Sequence, residues 1–205
     1  MRRKAAGRRP PARARAPAVR IGAGRWKGRI LEVPQGARPT SGKAREALFD
    51  ILQKRVAGAR VLELYAGSGA VGLEALSRGA ARSVLVEPSA RALGRNLGRL
   101  APEKGTVEVL RREASAAISD LLRRDERFDI VFADPPYAGE LDADVFAGVA
   151  RLLAEGGTFV LQSDVGREPM PAGLRLTDRR AYGRNVLSFF EAERVTRAPS
   201  PPRRF

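Results

Sequence analysis

Residues 128–137 read FDIVFADPPY, an apolar run that brings a carboxylate, two prolines and an aromatic ring to one point of the chain. Consecutive prolines hold φ at about −65° and supply no N–H, which stiffens the backbone around the Asp134 carboxylate and the Pro135 carbonyl without adding a competing donor. That pair of acceptors suits an amine. An exocyclic NH2 on a nucleobase offers two donors and a lone pair delocalised into the ring. Asp134 and the Pro135 carbonyl would take both hydrogens and aim the nitrogen at an electrophile, with Pro136 fixing the turn and Tyr137 lying on the ring face. Asp and Pro are also ordinary turn residues, so the same four residues could simply end a strand.

A second constellation lies upstream. Gly67, Ser68, Gly69 and Gly72 follow the apolar run RVLELY in a G-x-G-x-x-G spacing. Glycines at a strand-to-helix turn let a ligand approach the backbone, and the helix N-terminus favours negative charge. Glu87 stands 20 residues beyond Gly67, at the end of the next apolar run. An acid there accepts hydrogen bonds from a ribose diol, which nicotinamide cofactors and S-adenosylmethionine both carry. It could equally serve as a charge at the start of the helix after Pro88 and Ser89. Nearer the N-terminus, Trp26 sits among Arg25, Lys27 and Arg29, where an aromatic could stack on a base while the cations hold phosphates, or could pack a hairpin onto the domain. Arg38, ahead of Pro39 and Thr40, could hold a phosphate or a ligand carboxylate, or lie exposed in its loop.

These residues need elements to hold them. Residues 20–33 suggest two short strands around a Gly-rich turn, and Ala44, Leu48, Ile51 and Leu52 recur at helical spacing to about Val56 behind an N-cap at Thr40 or Ser41. From residue 60 strands and helices alternate: strands at 60–65, 82–87, 107–110, 128–133 and 158–163, and helices after Gly69, over 89–100, from Glu113 to Arg123 and from Asp142 to Leu153. Gly156–Gly157 read as a turn, and residues 174–191 as an antiparallel pair joined at Tyr182–Asn185, with Arg184 on the tip. Alternation of this kind implies a doubly wound parallel sheet, whose ligands lie beyond the carboxyl ends of the strands. The Gly67 turn, Glu87, Glu113 and Asp134 all fall on that edge.

The chain has 205 residues, no cysteine and no histidine. A thiolate nucleophile, a His-based triad and a zinc site of the usual ligands are therefore excluded. No stretch approaches the length of an apolar membrane span, and a cytoplasmic location is expected. Charge is uneven: residues 1–60 hold 17 Lys or Arg against 3 acids, residues 61–193 hold 17 against 20, and residues 194–205 hold 4 against none. A basic arm on a near-neutral domain reads as a phosphate-binding footprint. Residues 1–19 are expected to be a disordered basic arm, 20–193 one catalytic domain (hairpin and helix at 20–57, core at 60–193), and 194–205 a basic disordered tail.

With those motifs in order, the chain resembles the class I S-adenosylmethionine-dependent methyltransferases, and specifically the bacterial 16S rRNA (guanine(966)-N(2))-methyltransferase family, RsmD. RIGAGRWKGRILEVP, RPTSGKAREALFDIL, LELYAGSGAVGLEALSRGA, ADPPY and YGRNVLSFFE carry the resemblance across about residues 19–192. It implies an α/β, Rossmann-like fold with a doubly wound, seven-stranded, mostly parallel sheet and a small N-terminal β-hairpin extension. It also implies S-adenosylmethionine as cofactor: Glu63, Tyr65, Gly67, Ser68 and Gly69 around its methionine part, Glu87 and Pro88 at the ribose, Glu113 and Ala114 at the adenine, and Asp134 shared with the substrate. Asp134, Pro135, Pro136 and Tyr137 would hold the target amine, and Arg25, Trp26, Lys27, Arg29, Arg38, Thr40 and Arg184 would meet 16S rRNA. No metal is implied; the enzyme is expected as a monomer acting on a small-subunit assembly intermediate. Glu113 departs from the family's usual Asp or small residue, which leaves a backbone contact to adenine. Three rivals remain: an adenine-N6 methyltransferase on DNA or RNA, a non-catalytic rRNA-binding assembly protein, and a nicotinamide-dependent oxidoreductase, which leaves Asp134–Tyr137 unexplained.

Overall fold

The computed structural model describes residues 19–34, 42–135, 143–166 and 171–193. The expectations for the arm at 1–18, for Arg38, Thr40, the N-cap at Thr40 or Ser41, Pro136, Tyr137 and the tail at 194–205 lie outside them. In chain order the elements are β1 (Val19–Arg20), β2 (Ile30–Leu31), α1 (Gly42–Val56), β3 (Arg60–Leu64), α2 (Ala70–Ser77), β4 (Arg82–Val86), α3 (Arg91–Leu100), β5 (Val107–Leu110), α4 (Ala114–Arg123), β6 (Phe128–Ala133), α5 (Ala143–Leu152), β7 (Leu153–Asp164), β8 (Leu174–Tyr182) and β9 (Asn185–Ala192). β1 and β2 form a small antiparallel pair, and the other seven strands one sheet in the order β5-β4-β3-β6-β7-β9-β8.

Strand period decides the layers. Side chains alternate across a sheet, so Val61 packs with α1, α2 and α3 on one face while Leu62 and Leu64 pack with α4 and α5 on the other. Both neighbours of β3 run parallel to it, β4 on one side and β6 on the other. The chain therefore moves outward through β4 and β5 and returns across β3 to β6, which makes the β3/β6 boundary the point where a ligand crevice opens. Among the described strands of the seven-stranded sheet, β9, antiparallel to both β7 and β8, breaks the parallel set.

Two details differ from the sequence reading. The Gly156–Gly157 pair lies inside β7, not in a turn before it: Leu153 pairs with Phe128 and Thr158 with Ile130, so the extra residues bulge between those two pairs. A Cβ on Gly157 would stand 2.9 Å from the Phe128 carbonyl, which is why the bulge closes over a glycine. The second correction concerns Trp26. The residue is 9% exposed and belongs to the core formed with α1 and α2, so its ring packs the hairpin onto the domain and is not presented to a base.

The hairpin loop also sits at a particular end of α2. Arg25 N donates to the Ser77 carbonyl (2.9 Å), Trp26 N donates to Ser77 Oγ (2.9 Å), and that hydroxyl donates to the Ala23 carbonyl (2.6 Å). Gly24 permits this contact, since its φ is +79° and a Cβ would lie 1.7 Å from the Ser77 carbonyl oxygen. Ser77 is the last residue of an eight-residue helix that rises about 12 Å from the glycine turn. Arg25, Lys27 and Arg29 are thereby carried toward the edge where the parallel strands begin. At the opposite edge the sheet is stepped. β4 and β5 stop level with Leu64 and Ala133, whereas β7 continues through Gln162, Ser163 and Asp164, paired with β9. Among the described residues no helix is long and apolar enough to cross a membrane.

Candidate active site

The turn after β3 is built from backbone that tolerates few residue types. Tyr65, Gly67 and Gly69 have φ of 57°, 53° and 75°; a non-glycine residue in this region is uncommon and concentrates at functional turns. Gly67 has open space on its free side, with no atom within 4 Å of where a Cβ would be. Gly72 is closed instead: a Cβ there would lie 2.3 Å from both Leu85 Cδ2 and Ser83 Oγ, so glycine lets α2 lie down on β4. One glycine faces open space and the other a packing contact.

Glu63 fastens this turn to the sheet. It is 3% exposed, and its carboxylate accepts from Val71 N (3.2 Å) and Gly72 N (2.8 Å) at the start of α2. Burial pushes its pKa up to about 7; the two amide bonds oppose that, the Asp134 charge adds to it and Arg45 eases it. The residue grouped by resemblance with the methionine pocket thus acts from beneath the turn. Asn96, which the sequence reading did not single out, works from the side. It is 1% exposed, and its Nδ2 donates to the Ser68 carbonyl (3.0 Å) and the Glu32 carbonyl (2.9 Å) while its Oδ1 accepts from Glu32 N (2.8 Å). No sequence motif marks it, because its three partners come from two distant segments.

Glu87 stands at the end of β4 with its oxygens oriented by two backbone donors: Gly67 N to Oε2 (2.9 Å) and Ser89 N to Oε1 (3.0 Å). A carboxylate has about four lone-pair sites, so two amides orient it and leave capacity for two hydroxyls. Pro88 is exposed beside it. Glu113 follows β5 in extended backbone (φ −63°, ψ 154°) at the N-terminus of α4, with no side-chain cap, and Ala114 behind it is buried.

Asp134 leaves β6 one residue past Ala133, which is paired with Leu64 on one side and Leu161 on the other. The backbone of Asp134 is therefore about one strand spacing, roughly 5 Å, from the start of the turn at Tyr65. Gln162 Nε2 donates to Asp134 Oδ2 at 2.8 Å. Gln162 too carries no sequence motif, lying as it does within the apolar strand; a polar residue at an inward position of that strand was the available signal. Pro135 is buried.

Glu63, Tyr65, Gly67, Ser68, Gly69, Glu87, Pro88, Glu113, Ala114, Asp134 and Pro135 thus share one edge. Arg184 joins them, exposed on the β8–β9 turn with its carbonyl accepting from Val165 N (3.0 Å). Arg25, Lys27 and Arg29 do not: they lie toward the other edge, where Arg25 bonds Glu103 (2.7 Å) and covers the Trp26 ring (4.1 Å to its centroid). Chemically, the shared edge can hold a diol, expose a backbone turn to a ligand and orient an amine beside it.

Residues 19–191 match the family described as "Conserved hypothetical protein 95". The chain is 34% identical over 184 residues to "Ribosomal RNA small subunit methyltransferase D" of Escherichia coli K12, spanning 85% of this chain and 90% of the relative. Among solved structures, a hypothetical protein of Thermus thermophilus is similar at 38% identity and a TM-score of 0.73, over 85% of this chain and 99% of that one. A SAM-dependent methyltransferase of Agrobacterium tumefaciens shares the fold at 18% identity, with a TM-score of 0.58 over 77% of this chain and 64% of that one.

Proposed function

We propose, because the chain belongs to the RsmD family of small-subunit ribosomal RNA methyltransferases, that it methylates the exocyclic N2 amine of a guanine in 16S rRNA, of the guanine 966 type, using S-adenosylmethionine. One observation carries the reading: Asp134 and the open Gly67 turn leave adjacent, paired strands on the same edge.

The residues present fit the cofactor. Gly67 faces open space where a side chain would otherwise stand, and Glu87 keeps lone pairs beyond those taken by Gly67 N and Ser89 N. Tyr65, Gly67, Ser68 and Gly69 would hold its methionine part, with Glu63 bracing them from below; Glu87 and Pro88 would meet the ribose, and Glu113 and Ala114 the adenine. When bound, S-adenosylmethionine supplies a methyl group already activated on a sulfonium. The protein's task is then mainly to position, and near-attack geometry contributes on the order of 7–11 kcal/mol at best. Asp134 and the Pro135 carbonyl receive the two hydrogens of the amine, direct its nitrogen toward the turn and stabilise the positive charge growing there; the proton leaves afterwards. Base extrusion from the RNA costs a few kcal/mol, which stacking on Tyr137 would partly offset. Arg184 would contact RNA near the mouth and Lys27 and Arg29 would meet phosphates further away, with Arg38, Thr40 and the basic arm adding RNA contacts of their own.

The test is methyl incorporation from labelled S-adenosylmethionine into free 16S rRNA, assembled small subunits, immature subunits and DNA, followed by nucleoside analysis. N2-methylguanosine, formed best on immature subunits, is expected. N6-methyladenosine would overturn the choice of base, and binding of RNA without any incorporation would overturn catalysis.

A further inference from the structure

Resting on the methyltransferase reading above, we infer that Gln162 is a positioning residue: its side-chain amide fixes the Asp134 carboxylate in the orientation that receives the target amine. The sheet register creates the contact. Ala133 is paired with Leu161, so the next residue of each strand, Asp134 and Gln162, emerges side by side on the same face, and Nε2 meets Oδ2 at 2.8 Å.

The surroundings of Gln162 argue that its polarity serves this bond. The side chain is 4% exposed, follows Val160 (0%) on its own strand face and is paired with Leu187 (0%) on β9. A methionine of similar length would satisfy that packing. Glutamine instead leaves its Oε1 buried without a hydrogen-bond partner, and an orphaned buried carbonyl is destabilising. Turning the amide over would set Oε1 against the carboxylate, so the donor stays on Asp134 and the orphan stays on the other side. A neutral donor also suits the chemistry. It restrains the carboxylate without cancelling the charge that must face a nitrogen becoming positive, as a guanidinium in the same place would.

The experiment compares full-length Gln162→Met, Gln162→Asn and Asp134→Ala in steady-state methylation of small subunits, with urea unfolding and S-adenosylmethionine calorimetry alongside. Gln162→Met removes the donor and the orphan together, and Gln162→Asn keeps an amide too short to reach. Expected for both is a kcat lower by about 10- to 100-fold, as for a small misplacement of a reacting group, with KM for RNA and cofactor affinity unchanged. Stability of the Met variant should be equal or higher. Full kcat in both variants overturns the inference, as does a kcat loss that tracks lost stability. Should Gln162→Met fail to fold, Gln162→Asn decides by the same criteria. Retained turnover in Asp134→Ala would instead overturn the amine site itself, so the two failures are distinguishable.

Discussion

The two edges of the sheet hold their acids differently. Where the strands begin, carboxylates are mostly matched to guanidinium groups: Arg60 and Arg82 both bond Glu126, Arg82 and Arg124 both bond Glu108, and Arg124 reaches Asp120, with Asp129, which accepts from Arg60 N (2.8 Å), an exception. Where they end, Glu63, Glu87 and Asp134 take hydrogen bonds from amides: Val71 and Gly72, Gly67 and Ser89, and Gln162. A guanidinium neutralises the acid it orients, and the pair then serves the fold. An amide orients without neutralising, so Glu87 and Asp134, which are only partly buried, retain charge and lone pairs for a ligand, while the buried Glu63 braces the turn. The same residue types are thus given to stability at one edge and to chemistry at the other.

The sharpest way to break that contrast is at Asp134. Asp134→Ala should lower turnover by about 10²–10³-fold with cofactor binding intact by calorimetry; unimpaired methylation would show that the strand-end acids are not reserved for chemistry. Next comes Glu87→Ala, which should weaken S-adenosylmethionine binding by about 10- to 100-fold, the range of lost charge-assisted hydrogen bonds, and leave RNA affinity as it was in a filter-binding assay. At the other edge Glu126→Ala should cost about 1–3 kcal/mol in urea unfolding, with Arg60 losing its carboxylate and Arg82 left with Glu108 alone, yet keep kcat at low temperature. That cost should shrink in high salt.

The smallest effect is one of sign. Glu63 has its pKa raised by burial from the ordinary 4.5 to about 7, so its contribution to stability is full below about 4.5 and is lost as pH rises to about 7. For Glu108 partial burial acts upward but hydrogen bonds from Arg124 and Arg82 prevail, and the pKa is lowered. Its contribution is present above the ordinary value and disappears as pH falls through the folded one. Urea midpoints measured across pH should therefore lose their decline toward neutrality in Glu63→Gln, and part of their acid decline in Glu108→Gln. Equal responses at both edges would dissolve the distinction.

Sequence carried the architecture well, because strands such as VLEL, SVLV and FDIVFA and the helices between them declare themselves by apolar period. It carried much of the site as well. The Gly67 turn, Glu87 and Asp134 each end a recognisable strand, and the topology of alternating elements puts such ends on one edge. What it could not carry depends on partners far along the chain. Gln162 meets Asp134 only once β6 and β7 adopt their register, Asn96 serves three carbonyl and amide groups from two other segments, and Trp26 turns inward because Gly24 lets its loop close on Ser77. A side chain's chemistry is legible in one dimension; which neighbour claims it is settled in three.

The unequal heights of the strands bear on what can dock. Past Ala133 the sheet rises on one flank alone, as three residues of β7 backed by β9 form a parapet roughly 10 Å tall. A rigid duplex laid over the opening would rest on that parapet and span the floor beside it without reaching down. On the methyltransferase reading proposed above, a lone nucleotide swung from its stack would lean against the tall side, and the cofactor would lie at the ends of β3, β4 and β5. On that same reading the step would favour a loop or bulge over a regular double helix.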